Sequence, residues 1–258
     1  VTTLAGQRIL VVGASSGIGR QVGLRAARAG AMVALAARRA EILDEVVAEA
    51  GEGAVALRCD VRDDRQCEEV VRQAVGRFGG LDAVVYAAGT SPLHRVAEAD
   101  GELWRRLLET NVVGAALIAR AALPHLEGSG GRLVLLGSSS VGRPYPGLVA
   151  YTTTKAALHE LARGWRNEHP SLRVTTFIVG PTITGFADSW EPELAGEMFG
   201  RWMAEGYPAG AAMTAEAMAD QVLAVLSSRA RIDEILVMPD LGADTGRAAE
   251  ARGEAFGE

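Results

Sequence analysis

Lysine is almost absent from this chain. Of its 26 basic residues, one is a lysine, Lys155, and the rest are arginines. Cysteine is scarce as well, and Cys59 and Cys67 are too few for a disulfide framework. The four histidines (His94, His125, His159, His169) and these cysteines show no metal-ligand spacing, so no metal site is expected. No run of about 18 or more apolar residues is present, which excludes an obvious membrane span. The segment "VTTLAGQRIL" has no basic region followed by a long apolar one, so no signal peptide is visible and the cytoplasm is the expected compartment. A basic excess is missing too. With a net charge of −6 the chain offers no polycationic surface for a phosphate backbone, and no nucleic-acid partner is expected.

What is present is a regular alternation. "RILVV" (8–12) reads as a buried strand, being short, branched and followed by glycine. "GIGRQVGLRAARAG" reads as a helix, "MVALAA" as a strand, "RAEILDEVVAEAG" as a helix and "AVALRCDV" as a strand. "DRQCEEVVRQAVGRFG" carries apolar residues at helical spacing, and "LDAVVYAAG" is a fourth strand. A long helix falls within 102–126 and is expected to end near Pro124. "RLVLLG", a helix over 151–167, "RVTTFIV", a helix over 215–227 and "DEILVM" complete the series. Strand-helix alternation with fully apolar strands predicts one α/β domain over 1–240: a doubly wound parallel sheet with helices on both faces. The polar, glycine-rich stretch 241–258 reads as a tail, either frayed or docked on another subunit.

The turn after the first strand is "VGASSGIG". Gly13, Gly17 and Gly19 let the backbone approach a pyrophosphate, and the helix opening at Gly17 turns its free N–H groups toward that anion. In this position the cluster points to a dinucleotide site. Asp60 in "CDV" ends the third strand, where it could accept from an adenine amino group or serve as a helix cap. The end of the second strand lacks the carboxylate that suits a 2′-hydroxyl and has Ala37, Arg38 and Arg39 instead. Guanidinium groups suit a 2′-phosphate, so NADP(H) is expected over NAD(H).

Tyr151 and Lys155 stand at i and i+4, on one face of a helix. A tyrosine that trades protons near neutrality must lose about 3 from its pKa of ~10, roughly 4 kcal/mol. A nearby cation favours the phenolate. A compact, mobile ammonium does this and also reaches ribose hydroxyls, which a planar guanidinium does not mimic. Ser138 ends the fifth strand 13 residues earlier, placed to hydrogen-bond a substrate oxygen, with Ser139 the competing candidate. Asn111 sits in a helical stretch that asparagine disfavours. It either holds a water in a proton path to Lys155 or braces structure.

These residues together resemble the classical short-chain dehydrogenase/reductase family. "VGASSGIG", "CDV", "YAAG", "TNVVG", the serine run and "YTTTK" follow in order over about 4–239. The resemblance implies a seven-stranded Rossmann domain and a homodimer or homotetramer. It implies Asn111, Ser138, Tyr151 and Lys155 as the catalytic set. The cofactor residues it implies are Gly13, Ser15, Ser16, Gly17, Ile18, Gly19, Arg38, Arg39, Asp60, Val61, Ala88, Gly89, Tyr151, Lys155, Gly180, Thr182 and Thr184. The chain departs from the family pattern at Val12, at Tyr86 and Ala87 where two asparagines are usual, at "VG" before Pro181, and at the C-terminal "DEILVMPD".

The segment over about 185–212 reads as a substrate lid. A chain with 5% aromatics concentrates Phe186, Trp190, Phe199, Trp202 and Tyr207 there. Ser138, Tyr151, Phe186, Trp190 and Trp202 are the expected substrate contacts. They suit a bulky hydrophobic ketone or secondary alcohol rather than a charged metabolite. The reaction expected is reversible hydride transfer with Tyr151 as general acid and base. The alternative is a dinucleotide-binding sensor on the same fold, which would not need the Ser138, Tyr151 and Lys155 set.

Overall fold

The structure, a computed structural model, describes residues 4–208 and 211–240. The tail predicted over 241–258 lies outside the described residues. Seven parallel strands form the main sheet: β1 (Arg8–Val12), β2 (Met32–Ala37), β3 (Ala54–Arg58), β4 (Ala83–Tyr86), β5 (Arg132–Ser138), β6 (Arg173–Val179) and, last in sequence, β9 (Glu234–Val237). Their order is β3-β2-β1-β4-β5-β6-β9. The chain runs outward from β1 to β3 and then restarts on the other side of β1 with β4. The carboxyl ends of β1 and β4 thus mark the switch point where such sheets bind ligands.

Alternation along each strand feeds two cores. Leu10 and Val12 of β1 face α3 (Asp64–Phe78), α5 (Gly114–Ser129) and α6 (Val149–Glu168) through Val70, Ile118 and Leu158. Ile9 and Val11 face α1 (Gly17–Arg28), α2 (Ala40–Ala50) and α8 (Ala215–Ser227) through Leu24, Leu43 and Val222. The period of two in the strands and of 3.6 in the helices therefore meet on both faces of one sheet.

Three features differ from the sequence reading. The long helix does not stop near Pro124. It runs as α4 (Gly101–Leu108), a wide π-type turn over Glu109–Val113, and α5 to Ser129, where Gly130 ends it in a left-handed conformation (φ 61°). Pro124 is exposed, so water can take the carbonyl its ring leaves unbonded, while buried Leu126 holds the final turn to the core. The stretch Gly101–Ser129 is long and apolar enough to cross a membrane by length and composition. Here Ala115, Ile118, Ala119, Ala122 and Leu126 pack into the sheet's core. Finally, a small parallel pair not expected from sequence, β7 (Thr182–Ile183) with β8 (Met213–Thr214), joins the chain on either side of the stretch expected to be a lid. The helix between these two strands in sequence is α7 (Pro192–Ala204).

Candidate active site

The glycine turn is built by close approach. The N–H groups of Gly13 and Ala14 both bond Ala36 O, at 2.8 and 3.0 Å, which folds the turn back over β2. Gly13 has φ +90°, and a Cβ there would sit 2.5 Å from Ala88 N. The first turn of α1 carries no acidic side chain, so its N–H groups face the cleft without competition. This is a cradle of the kind a pyrophosphate needs, and any side chain at Gly13 would collide with the Ala87–Ala88 backbone and force the turn open.

Around it the expected residues converge. The glycine turn, Arg38 and Arg39, Asp60 and Val61, Ala88 and Gly89, Ser138, Tyr151 and Lys155, and Gly180, Thr182 and Thr184 line one cleft of about 1080 Å³. Phe186, Trp190 and Trp202 line its other end. Arg39 Nη2 donates to Ser15 Oγ at 3.0 Å, which folds this guanidinium over the glycine turn. Asp60 is not a free acceptor. Arg62 grips both its oxygens, at 2.6–3.2 Å, and holds the carboxyl below its usual range.

Asn111 stands apart from the cleft wall. It is fully buried in the wide turn, where Nδ2 donates to Thr90 O (3.0 Å) and Thr154 Oγ1 (2.9 Å) and Oδ1 accepts from Thr90 N (2.9 Å). It ties the loop after β4 to α6 and so braces the floor under Gly89. Tyr86, one of the departures from the family pattern, supports the same turn. Its buried hydroxyl donates to Thr110 O at 2.5 Å. The residue that replaces an asparagine thus anchors the neighbour of Asn111.

Tyr151 and Lys155 point from one face of α6 toward the end of β5, with Lys155 Nζ 5.7 Å from the centre of the Tyr151 ring. Both are buried. Lys155 Nζ donates to Leu136 O at 2.7 Å. Burial pushes the Tyr151 phenol up to about 12, against a downward pull from the Ser138 hydroxyl beside it. Burial likewise lowers the Lys155 ammonium to about 8. The expected acidification of the phenol by a nearby cation, to which an oxidised nicotinamide would add, therefore has to overcome burial. Desolvation disfavours the phenolate by more than the Ser138 hydroxyl favours it. Ser138 rather than Ser139 is the serine whose hydroxyl acts on Tyr151. Ser138 Oγ pairs with Ser140 Oγ at 2.9 Å, while the Ser139 amide is spent on Val179 O.

The segment around α7 presents hydrocarbon to the cleft because its indole N–H groups are used elsewhere. Trp190 Nε1 donates to Ser91 O (2.7 Å) and Trp202 Nε1 to Pro146 O (2.9 Å). Phe186 meets the Tyr151 ring edge-on at 5.2 Å, and Trp190 bridges Phe186 and Trp202 at 5.6 and 5.9 Å. Sequence reasoning missed Tyr145, which packs on Trp202 at 5.3 Å, and Arg143. Arg143 donates to Glu205 O (2.7 Å) and Gly206 O (3.1 Å) at the end of α7 and lies 4.0 Å over the Tyr207 ring. Because it tethers an exposed helix end, Arg143→Ala should cost at most about 1 kcal/mol of global stability. It should nonetheless speed hydrogen exchange of the amides over 203–207, read by mass spectrometry. Unchanged exchange there would show that the guanidinium holds nothing in place.

The family model described as short chain dehydrogenase matches residues 7–195. The chain is 36% identical over 185 residues to an 11-beta-hydroxysteroid dehydrogenase A of Sesamum indicum, an alignment covering 69% of this chain and 53% of that protein. The chain thus spans about half the length of that relative. A short-chain type dehydrogenase/reductase from Mycobacterium marinum superposes with a TM-score of 0.80 at 30% identity, covering 94% of this chain and 98% of that one. An alcohol dehydrogenase from Thermococcus sibiricus complexed with 5-hydroxy-NADP superposes at 0.77 and 26% identity, over 90% of this chain and 95% of the other.

Proposed function

The chain belongs to the short-chain dehydrogenase family, oxidoreductases that use a nicotinamide dinucleotide, and from that premise we propose an NADP(H)-dependent ketone reductase or alcohol dehydrogenase for an apolar substrate. The observation that carries this reading is the meeting of the Ser138 hydroxyl, the Tyr151 phenol and the Lys155 ammonium in one cleft with an aromatic wall. The nicotinamide, when bound, supplies or accepts the hydride and, oxidised, adds a positive charge to the site.

The chain's own part is proton handling and orientation. Tyr151 donates its phenolic proton to the substrate oxygen in reduction and takes it back in oxidation. Ser138 Oγ hydrogen-bonds the same oxygen as charge develops on it. Lys155 stabilises the phenolate left behind and would hold the ribose hydroxyls. Asn111 fixes the floor through Thr90 and Thr154. The substrate end of the cleft is lined by aromatic faces whose N–H groups are spent on backbone carbonyls, which favours a bulky neutral ketone or secondary alcohol. A cytoplasmic location and a homodimer or homotetramer belong to the same reading. The reduced, buried thiols of Cys59 and Cys67 suit the first.

The test is a panel of ketones and alcohols followed at the reduced-nicotinamide absorbance with each dinucleotide. Turnover of bulky neutral substrates supports the proposal. Tight dinucleotide binding with no turnover of any of them would leave the sensor in its place. Cofactor choice has its own test. Arg39 reaches over the glycine turn to Ser15, and a charge-assisted contact to a 2′-phosphate contributes about 1.5–3 kcal/mol. Arg38→Ala with Arg39→Ala should therefore raise KM for NADPH by about 10- to 150-fold and leave kcat/KM for NADH nearly unchanged. Equal effects on both dinucleotides would remove the arginines from the discrimination.

A further inference from the structure

β5 loses a neighbour before it ends. β4 pairs with it only as far as Tyr86 opposite Leu135, while β6 accompanies it to Ser138 opposite Val179. The Ser139 amide bonds Val179 O, so Ser139 faces β6, and alternation turns the peptide groups of Leu136 and Ser138 to the vacated side. Two backbone groups there need partners: the Leu136 carbonyl and the Ser138 N–H. Side chains of α6 satisfy both. Lys155 Nζ donates to Leu136 O at 2.7 Å, and His159 Nε2 accepts from Ser138 N at 3.2 Å. Tyr151, Lys155 and His159 follow at successive i, i+4 steps, so one helix face meets the end of the strand with three groups.

We propose that His159 is a positioning residue of the active site, standing in for the missing strand partner of β5 and thereby fixing where the Ser138 hydroxyl points. The proposal rests on the role given to Ser138 above. The fit is close. His159 is buried, and a Cβ on Gly137 would lie 2.2 Å from its Nε2, so the glycine admits the ring. An amide N–H can only donate, so Nε2 must keep its lone pair and the ring proton must sit on Nδ1. Burial first, then the charges of Lys155, Arg163 and Arg166, oppose protonation, and only Glu234 favours it. The hydroxyl end of Ser138 is gripped from the same helix, because Ser138 Oγ pairs with Ser140 Oγ and Thr152 Oγ1 donates to Ser140 Oγ at 3.0 Å. With the amide released, Ser138 would be held by the Val141 N–H on its carbonyl (3.3 Å) and by its hydroxyl, and the hydroxyl is the group that must be free to meet substrate oxygen.

The test uses His159→Leu, His159→Gln and Tyr151→Phe, assayed with NADPH and a ketone found in the panel. His159→Leu should lower kcat about 10- to 100-fold with little change in KM for the dinucleotide, since a misdirected oxyanion donor costs rate rather than cofactor binding. His159→Gln, whose Oε1 can accept the same N–H, should recover most of that rate. It should also lose the fall in kcat expected of the wild type on acidification below the ordinary histidine range. A folded His159→Leu with wild-type kcat, or a Gln variant no better than Leu, overturns the proposal. Turnover in Tyr151→Phe instead overturns the reading beneath it, whatever His159 does. Should His159→Leu fail to fold, nitrogen NMR of the wild-type histidines decides. An Nδ1–H tautomer at His159 with an unprotonated, hydrogen-bonded Nε2 is expected, and the Nε2–H tautomer overturns the proposal.

Discussion

Tyr151→Phe is expected to lower kcat by about 10²- to 10⁴-fold, the range attributed to a positioned general acid or base, while the dinucleotide binds as before. The substitution removes one oxygen and keeps the ring. The edge-on contact with Phe186 at 5.2 Å and the packing against Leu93, Leu148 and Trp202 survive it. Ser138 Oγ retains Ser140 Oγ as a partner, so no buried hydroxyl is orphaned. Stability should stay within about 1 kcal/mol of wild type. Trp190 and Trp202 line the cleft, so their fluorescence gives a binding titration independent of turnover. Undiminished kcat in this variant would remove Tyr151 from the chemistry. Lost binding together with lost rate would point to a structural role for the ring.

The direction of the phenol's shift sharpens what Tyr151 does. Pushed up to about 12, it is fully protonated at neutral pH, which in the proposed mechanism leaves it a proton donor for reduction. Oxidation requires it to begin as a phenolate, which the buried site opposes and positive charge in the cleft must favour. The alcohol-oxidising rate should accordingly climb with pH over a wider range than the carbonyl-reducing rate does.

Much of this was legible in the chain because it depends on local pattern. The seven main strands come from short branched runs, and their alternation with amphipathic helices dictates a parallel sheet whose carboxyl edge gathers "VGASSGIG", Ser138 and "YTTTK". What was not legible depends on where elements part company. That β4 leaves β5 after Tyr86, and so creates a need for His159, follows from the path of "AAG" and not from any residue's propensity. Pro124 misled because the rule about proline concerns a carbonyl that needs a partner, and at an exposed position water is one. Asn111 is a poor helix former held inside a helical stretch. Its three hydrogen bonds are made from a widened turn that the sequence does not announce. Arg143 looked like one more arginine among many, and only the placement of Glu205 and Gly206 gives it a task.

Lys155→Met is expected to abolish turnover and, at neutral pH, to leave the folded protein at least as stable as before. The ammonium is buried, and its pKa falls from 10.5 to about 8 for that reason. A drop of this size corresponds to roughly 3 kcal/mol by which folding disfavours the charged form. The penalty is fully present below pH 8. It fades as pH rises from about 8 to 10.5, where the folded chain has shed the proton and the unfolded chain still holds it. Against this stands the lost bond to Leu136 O, whose orphaned carbonyl costs about 1–3 kcal/mol at any pH. Methionine fills a similar volume, so no large cavity opposes the exchange. Denaturant unfolding at 25 °C should thus give Lys155→Met its greatest relative stability near pH 7, with that advantage falling by about 2–3 kcal/mol toward pH 10.5. A difference between variant and wild type that does not change with pH would mean that no cation is buried there. The same comparison explains the solitary lysine: an amine can carry so large a depression and still cycle its proton, whereas a guanidinium in this place would stay charged throughout.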